Sequence, residues 1–172
     1  MELLVISDSH GKADNISAAF ARNRGVDYIV FLGDGLRNLE YADLGNTPII
    51  SVRGNCDILG FSSEAPPPTE LILKLGEYTL MIAHGHTLRV KEGLDFAISY
   101  ASKKGVDILL FGHTHTRLDK YIPAGERIGD TVLQKPLRLF NPGSIGQPRF
   151  GNPSFGLLGI RGESVLLSFG EL

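Results

Sequence analysis

The chain has 172 residues, of which 42% are hydrophobic and 21% charged, a composition that excludes disordered and fibrous proteins and predicts a single domain over residues 1–172. Seventeen basic and nineteen acidic residues give a net charge of −2, which argues against long nucleic acid as a partner because such binding needs excess positive charge. The single cysteine, Cys56, excludes an intramolecular disulfide framework and fits a reducing compartment.

Nine short apolar segments, rich in branched residues, predict β-strands. In chain order they cover residues 3–7, 28–32, 49–52, 71–75, 78–83, 108–111, 137–140, 155–160 and 165–169. The segments 28–32 and 108–111 are apolar on both faces, which is typical of central strands that are covered on both sides.

Apolar residues at helical spacing predict one helix after Asp14, a longer helix from about Val90 to Lys104 and a weaker helical segment around residues 36–44. The early alternation of strand and helix predicts parallel strands joined by right-handed crossovers. The later strands are separated by turns, which predicts antiparallel pairing. These turns are expected at Gly125, Asn141-Pro142-Gly143 and Asn152-Pro153. The segment 65–68, which contains three prolines, is expected to be an extended surface connection. The result is a predicted α/β fold with two facing mixed sheets flanked by helices.

Polar clusters directly follow five of the predicted strands, and three of these clusters contain all five histidines of the chain. The clusters are Asp8-Ser9-His10, Gly33-Asp34, Gly54-Asn55-Cys56-Asp57, His84-Gly85-His86 and His113-Thr114-His115. The carboxyl ends of strands in an open α/β sheet form its ligand crevice, so the clusters are expected to converge. Their carboxylates, imidazoles and carboxamide suit Mn, Fe, Zn, Co or Ni. In an extended segment, residues two apart point the same way, so the D-x-H and H-x-H spacings can serve one metal site.

Taken singly, each cluster has a simpler interpretation. An isolated histidine is more often a hydrogen-bonded core or surface residue, and Gly-Asp is commonly a turn. The segment Asn-Pro-Gly-Ser that starts at Asn141 is also more often a turn than a site. The order and placement of the five clusters together favour a metal site over these interpretations.

The order of these motifs resembles the calcineurin-like metallophosphoesterase superfamily over essentially the whole chain, and the short length resembles its compact YfcE-type prokaryotic phosphodiesterases. The resemblance implies a four-layer α/β/β/α sandwich with two divalent metal ions. It assigns one metal to Asp8, His10, Asp34 and His115, and a second metal, bridged by Asp34, to Asn55, His84 and His113. A hydroxide shared by the two metals is the implied nucleophile, with Asn55 helping to neutralise the phosphate oxygens.

Cys56 departs from the family pattern, because the position after Gly-Asn is commonly a histidine that the following acidic residue, here Asp57, positions. That histidine is usually assigned to leaving-group protonation or phosphate stabilisation. A thiol with its ordinary pKa of roughly 8.5 is a poorer proton donor, so Cys56 either acts in catalysis or merely packs. The departure favours diesters with good leaving groups over ordinary monoesters.

Several other residues have open roles. His86 could orient His84, contact substrate, supply the proton that Cys56 leaves in doubt, or lie in a solvated loop. Arg149 and Arg117 could meet a phosphate or nucleotide, or be solvated. Phe61 and the prolines 66–68 could form part of a substrate wall.

The leading hypothesis is a phosphodiesterase acting on a small phosphate ester, with a nucleotide as one option and a phosphomonoesterase as the nearest variant. The alternative is a non-catalytic interaction scaffold, since a retromer scaffold subunit has the same fold with a decayed metal site. All seven expected ligand positions here hold competent residues, which favours the enzyme. No apolar run reaches the roughly 20 residues of a membrane span and no basic leader is seen, so we expect a cytoplasmic protein without membrane association. The oligomeric state is left open, with a homodimer as one option.

Overall fold

The computed structural model describes residues 1–57 and 66–172. Within these residues the helices are α1 (Ala13–Ala21), α2 (Asp95–Lys103) and a 3-10 helix at Leu36–Glu40. The strands are β1 (Glu2–Ile6), β2 (Tyr28–Phe31), β3 (Ile49–Ser51), β4 (Glu70–Leu75), β5 (Tyr78–Ala83), β6 (Ile108–Leu110), β7 (Arg117–Ile122), β8 (Arg127–Ile128), β9 (Thr131–Val132), β10 (Leu137–Pro142), β11 (Ser154–Arg161) and β12 (Ser164–Glu171).

The strands form two five-stranded mixed sheets and a small β8–β9 hairpin. The first sheet has the order β12-β11-β1-β2-β3, in which β1, β2 and β3 are parallel and the β11–β12 hairpin pairs antiparallel with β1. The second sheet has the order β4-β5-β6-β10-β7, with β5, β6 and β10 parallel and an antiparallel strand at each edge. The predicted pair of mixed sheets is therefore confirmed.

Three layers of apolar side chains hold the helices and sheets together, because alternate residues of a strand point to opposite faces. In β1, Leu3 and Val5 pack between the two sheets, whereas Leu4 and Ile6 pack against Ile16 of α1. Helix α2 covers the outer face of the second sheet with Ala97, Ile98 and Ala101. Burying one such Leu or Ile side chain contributes about 1.5–3 kcal/mol. The order helix, sheet, sheet, helix confirms the expected four-layer sandwich.

Some predicted boundaries are wrong for identifiable reasons. Helix α2 begins at Asp95 rather than near Val90, because Arg89 and Gly93 have φ values of 53° and 136° that no helix allows. Strand β7 was not predicted, since most of its side chains are polar and exposed at the edge of the sheet. The expected turn at Asn141-Pro142-Gly143 starts only at Gly143, because the first two residues belong to β10 and pair with β7.

The proline segment is described only from Pro66 onward, where it has no regular secondary structure and the Pro68 carbonyl accepts a hydrogen bond from the Arg53 N–H. The sequence suggested Phe61 as part of a substrate wall and Ala65 as part of the extended connection. Both residues lie outside the described residues. None of the helices in the described part of the chain is long and apolar enough to cross a membrane.

Candidate metal centre

Five loops that follow strands of both sheets bring polar side chains into one region. Asp8, Asp34 and Cys56 follow β1, β2 and β3 of the first sheet, and His84 and His113 follow β5 and β6 of the second. All five strands therefore have their carboxyl ends at this crevice, as expected for a ligand site in an α/β fold.

The first group of facing donor atoms comes from Asp8, His10 and His115, whose ligand atoms all lie within 4.8 Å of one another. His115 Nε2 lies 3.1 Å from Asp8 Oδ1 and 3.2 Å from His10 Nε2. The other Asp8 oxygen, Oδ2, accepts hydrogen bonds from the His113 N–H at 3.0 Å and from the Ser7 hydroxyl. These bonds turn Asp8 Oδ1 toward the two histidines.

The second group consists of Asp34, His84 and His113, whose ligand atoms also lie within 4.8 Å of one another. His84 Nε2 lies 3.3 Å from Asp34 Oδ2 and 3.2 Å from His113 Nδ1. His84 is fully buried, so its ring cannot turn out to solvent without opening the loop.

Asp34 lies between the two groups. Its Oδ2 is 3.3 Å from His84 Nε2 and 4.0 Å from His10 Nε2, so one oxygen atom faces a histidine of each group. Its Oδ1 accepts a hydrogen bond from the Cys56 N–H at 2.8 Å, and the side chain is 3% exposed. A carboxylate in this position can neutralise two cations at once, which is what a pair of closely spaced metal ions needs.

Backbone carbonyls fix the orientation of two histidine rings. His84 Nδ1 donates to the Leu32 carbonyl at 2.8 Å, and His115 Nδ1 donates to the Gln147 carbonyl at 2.6 Å. In the neutral ring the proton on Nδ1 leaves a lone pair on Nε2, the atom that faces the centre. In the metal-free protein burial acts to lower the pKa of His84 but Asp34 and Asp8 outweigh it and raise that pKa, and Asp8 raises the pKa of His115, so a metal ion competes with a proton for each Nε2.

Left-handed backbone conformations are concentrated in these loops. Among the described residues, positive φ occurs at six non-glycine positions, and five of them belong to the two groups of donor atoms. These are Asp8 (56°), His10 (42°), Asp34 (59°), His113 (66°) and His115 (57°). Such conformations are uncommon and cost free energy, so the surrounding hydrogen bonds must hold them in place.

Two glycines allow the loops to approach each other closely. A Cβ atom on Gly54 would lie 2.0 Å from Asp34 Oδ1, and one on Gly112 would lie 1.8 Å from the Ser7 hydroxyl oxygen. Neither position can carry a side chain unless a carboxylate loop moves. The absence of a side chain at these two glycines therefore permits the tight packing of backbone beside the polar clusters.

The surroundings of Asp34 and His113 keep these two donors in forms that bind cations. Burial raises the pKa of Asp34, but hydrogen bonds from His84 and the Cys56 N–H outweigh it, so the net pKa lies well below its ordinary value. The pKa of His113 is lowered to about 4, first by burial and then by the positive charges of His84 and Lys91. At neutral pH Asp34 is therefore an anion and His113 a neutral imidazole.

The donor set fits divalent cations. Asp8 Oδ1 is buried and has no aligned hydrogen-bond donor in the described part of the chain, although His115 Nε2 lies only 3.1 Å away. Donor atoms that face a common point without a shared proton are typical of metal ligands. Nitrogen and oxygen donors in each group suit Mn, Fe, Co, Ni or Zn.

Residues 1–163 match the family model of the calcineurin-like phosphoesterase superfamily domain. The chain belongs to this superfamily. It is 30% identical over 171 residues to the probable metallophosphoesterase YsnB of Bacillus subtilis, covering 98% of this chain and 90% of that protein. It is also 30% identical over 183 residues to the phosphodiesterase YfcE of Escherichia coli K12, covering 92% of this chain and 87% of that protein. The family resemblance inferred from the motifs is therefore confirmed.

Among solved structures, vacuolar protein sorting 29 of Cryptosporidium parvum superposes with a TM-score of 0.76 at 20% identity, covering 99% of this chain and 91% of that one. At this level of identity the likeness shows the calcineurin-like fold alone.

In this phosphoesterase, Cys56 and His86 lie beside the two groups. The Cys56 sulfur forms a third set of facing atoms with His10 and Asp34, again within 4.8 Å. The His86 ring lies 5.4 Å from the His84 ring and 6.2 Å from the His113 ring, and its Nδ1 is buried without a hydrogen-bond partner among the described residues. Asn55 is exposed, with its amide nitrogen 3.4 Å from the Cys56 sulfur. Their catalytic roles stay predictions.

Asp57 holds the loop of the phosphoesterase that carries Asp34. Its two carboxylate oxygens accept hydrogen bonds from the N–H groups of Asp34 (2.7 Å), Gly35 (2.8 Å), Leu36 (3.0 Å) and Gly54 (2.8 Å). Gly35 and Leu36 lie at the start of the 3-10 helix, where backbone N–H groups have no partner within the helix. The Asp57 carboxylate therefore also accepts hydrogen bonds from these N–H groups. These contacts indicate that Asp57 positions the loop that carries Asp34.

Sequence reasoning missed three residues that hold the ligand loops of the phosphoesterase. The Asn141 amide donates to the Gly112 carbonyl at 2.8 Å, and the Ser144 hydroxyl donates to the Asp8 carbonyl at 2.7 Å. The third is Gln147, whose carbonyl orients His115. The Asn-Pro-Gly-Ser segment after the last ligand cluster was the available signal, but we interpreted it as a turn. Arg117, by contrast, forms an ion pair with Glu171.

The thiol of Cys56 is expected to react slowly in the metal-free phosphoesterase. Its pKa is raised to about 11, by partial burial of the sulfur and then by the negative charge of Asp34. Little thiolate exists below that pH, which slows alkylation. A thiolate of higher pKa is also more nucleophilic, and this offsets part of the decrease in rate. Alkylation of Cys56 by iodoacetamide at pH 8 should therefore be about tenfold slower than alkylation of glutathione. The rate, measured in excess chelator, should rise steadily between pH 8 and pH 10.

The Asp34→Asn variant, which lacks the charge, should react several times faster than the wild type, and the urea-unfolded protein should react at the rate of a free thiol. A folded wild-type protein that matches glutathione at pH 8 would show that the thiol is not suppressed.

Proposed function

We propose that the protein is a dinuclear phosphodiesterase that hydrolyses small phosphate diesters. The observation that supports this most strongly is the position of Asp34 Oδ2 between His84 and His10, one from each group of facing donors. The proposed ligands of the first cation are Asp8, His10, Asp34 and His115, and those of the second are Asp34, Asn55, His84 and His113.

Two bound divalent cations would supply positive charge to the phosphate oxygens and lower the pKa of an attacking water molecule. The protein's part is to place its anions and donors around them. Asp8 and Asp34 provide the negative charge that lets two cations lie close together, and the fixed rings of His84 and His115 set their positions. Asn55 lies beside Cys56 at the exposed side of the centre, where its amide can donate to a phosphate oxygen.

The choice of a diester over a monoester depends on Cys56. A thiol with a pKa near 11 in the metal-free state is a weak acid, and a weak acid protonates a poor leaving group slowly. A diester with an activated alcohol needs no such proton. The 30% identical phosphodiesterase YfcE is consistent with this substrate class.

Metal removal tests the proposal. We expect the chelated protein to lose hydrolysis of bis-p-nitrophenyl phosphate and to regain it when Mn, Ni, Co, Zn or Mg is added back singly, with Mn, Co, Ni or Zn more effective than Mg. Activity toward glycerol 2-phosphate, a monoester whose alkoxide leaving group needs a proton, should be at least about tenfold lower in the same titration, because Cys56 is a poor proton donor.

Two variants at Cys56 sharpen this test. Cys56→His should raise the ratio of monoester to diester hydrolysis, whereas Cys56→Ala should leave diester hydrolysis within a few-fold. A Cys56→His variant that changes neither rate would contradict the argument from the thiol. If no metal restores hydrolysis of either ester, the dinuclear phosphodiesterase is the wrong function.

The scaffold hypothesis makes a different prediction in the same experiment. A protein that uses this fold only to bind partners should hydrolyse neither ester, even under conditions in which calorimetry detects uptake of Mn or Zn. The complete donor set around Asp34 favours the enzyme, and metal-dependent hydrolysis of the diester that is lost in the Asp34→Asn variant would exclude the scaffold.

A further inference from the structure

Two cationic side chains lie beside the metal centre, close to His113 of the second group and His115 of the first group. Lys91 and Arg149 line a cavity of about 200 Å³ together with His113, Thr114 and His115. Both side chains are exposed. In the described part of the chain, the lysines and arginines that pair with carboxylates are Arg117, Lys135, Arg138 and Arg161, and neither cavity residue is among them.

The fold holds Arg149 against the ligand His115. The Arg149 N–H donates to the His115 carbonyl at 3.1 Å, and two residues earlier the Gln147 carbonyl accepts from His115 Nδ1 at 2.6 Å. The loop that carries Arg149 is therefore tied to a predicted metal ligand at two points. The backbone at Arg149 cannot move away from the centre unless His115 moves with it, and the exposed side chain extends from that point beside the cavity.

Lys91 is held on the opposite wall by the turn that follows His84. The Val90 N–H donates to the Gly85 carbonyl at 3.4 Å, and the side chains of Leu88 and Val90 are buried in the core under α2. Lys91 follows directly and is exposed. Its side chain lines the same cavity as the predicted metal ligands His113 and His115.

We propose that Lys91 and Arg149 bind a second phosphate group of the substrate, so that the favoured substrates are diesters that also carry a phosphomonoester. This rests on the proposed phosphodiesterase function. A scissile diester carries one negative charge, which the centre itself can neutralise. A terminal phosphate adds a charge of about −1.5 to −2 and three acceptor oxygens, for which an arginine fork and a lysine ammonium are suitable partners.

Two matched substrates test the second phosphate. Thymidine 5′-(p-nitrophenyl phosphate) carries only the scissile diester, and its 3′-phosphorylated analogue carries the additional group. With metal restored, kcat/KM for the analogue should exceed that for the simple diester by about tenfold, through a lower KM. The preference should shrink at 1 M salt, because both cations are exposed.

Single Lys91→Gln and Arg149→Gln variants should each reduce this preference several-fold and leave hydrolysis of the simple diester within twofold. Arg24→Gln is the matched control, since it removes one exposed positive charge between α1 and β2, at the opposite ends of the strands. It should keep the wild-type preference. As a measurement independent of turnover, calorimetry should show thymidine 3′,5′-bisphosphate binding more tightly than thymidine 5′-monophosphate, and the two Gln variants should lose the difference.

The outcomes separate this inference from the function on which it rests. Hydrolysis of both substrates at equal kcat/KM, unchanged in the variants, would overturn the second-phosphate site and leave the phosphodiesterase intact. Absence of hydrolysis together with bisphosphate binding that depends on Lys91 and Arg149 would overturn the phosphodiesterase and support the anion site.

Discussion

Replacing Asp34 with asparagine is expected to lower kcat/KM for bis-p-nitrophenyl phosphate by at least about 10³-fold, more than the loss of one oxyanion donor usually costs. Asp34 Oδ2 faces a histidine of each group, so the neutral amide removes negative charge from between both proposed cations. Metal analysis of the variant should find fewer than two ions per chain. The fold should survive, because an asparagine oxygen can still accept the hydrogen bond from the Cys56 N–H.

Asp130→Asn is a suitable control for this variant, since it removes one exposed carboxylate in the segment between β8 and β9. It should retain full activity and two bound metals. An Asp34→Asn protein with the wild-type metal content and activity within tenfold of the wild type would mean that Asp34 does not bridge two metals.

Replacing Asp57 with alanine is expected to lower the free energy of unfolding of the metal-free protein by about 3–5 kcal/mol. Four backbone N–H groups lose their acceptor, and the contacts to Asp34, Leu36 and Gly54 are buried. Few water molecules can replace the carboxylate there. Urea unfolding in excess chelator measures the loss, and the Asp57→Asn variant should lie between alanine and the wild type because it keeps one good acceptor.

Asp119→Ala provides the comparison, since Asp119 accepts two hydrogen bonds from Arg138 in an exposed ion pair. Its removal should cost no more than about 1 kcal/mol, as exposed ion pairs usually do. If the two alanine variants lose the same stability, the contacts of Asp57 do not hold the Asp34 loop as described.

The order and type of most elements could be predicted from local pattern alone. The strand from Tyr78 to Ala83 has the predicted bounds, and buried β6 begins where its apolar run begins. Strand β7 could not be predicted in this way, because its residues form a strand only through pairing with β10. The start of α2 was missed because the apolar residues Leu88 and Val90 are buried by a turn whose shape depends on the backbone at Arg89.

The polar clusters at strand ends were also visible in the sequence, since each ligand stands next to a recognisable apolar run. The contacts that hold those loops were not visible. Asp57 stands in one of the clusters, but it bonds to donors more than 20 residues away, and Ser144 bonds to a carbonyl 136 residues away. Such contacts have no local signature, so the Asn-Pro-Gly-Ser segment was interpreted as a turn although two of its members hold the centre. The metal ligation itself stays a prediction.

The position of β1 between β2 and β11 has a consequence for the synthesis of the chain on the ribosome. Asp8 is translated before Ser144, so its strand keeps an open edge until the β11–β12 hairpin pairs with it, and its loop lacks the Ser144 hydrogen bond until that stage. A nascent chain that has emerged only as far as His115 contains every proposed ligand and the bond from the His113 N–H to Asp8, but it lacks the bonds from the Ser144 hydroxyl and the Gly146 N–H to the Asp8 carbonyl. Stable capture of metal is therefore expected to follow synthesis of the β11–β12 hairpin rather than to precede it.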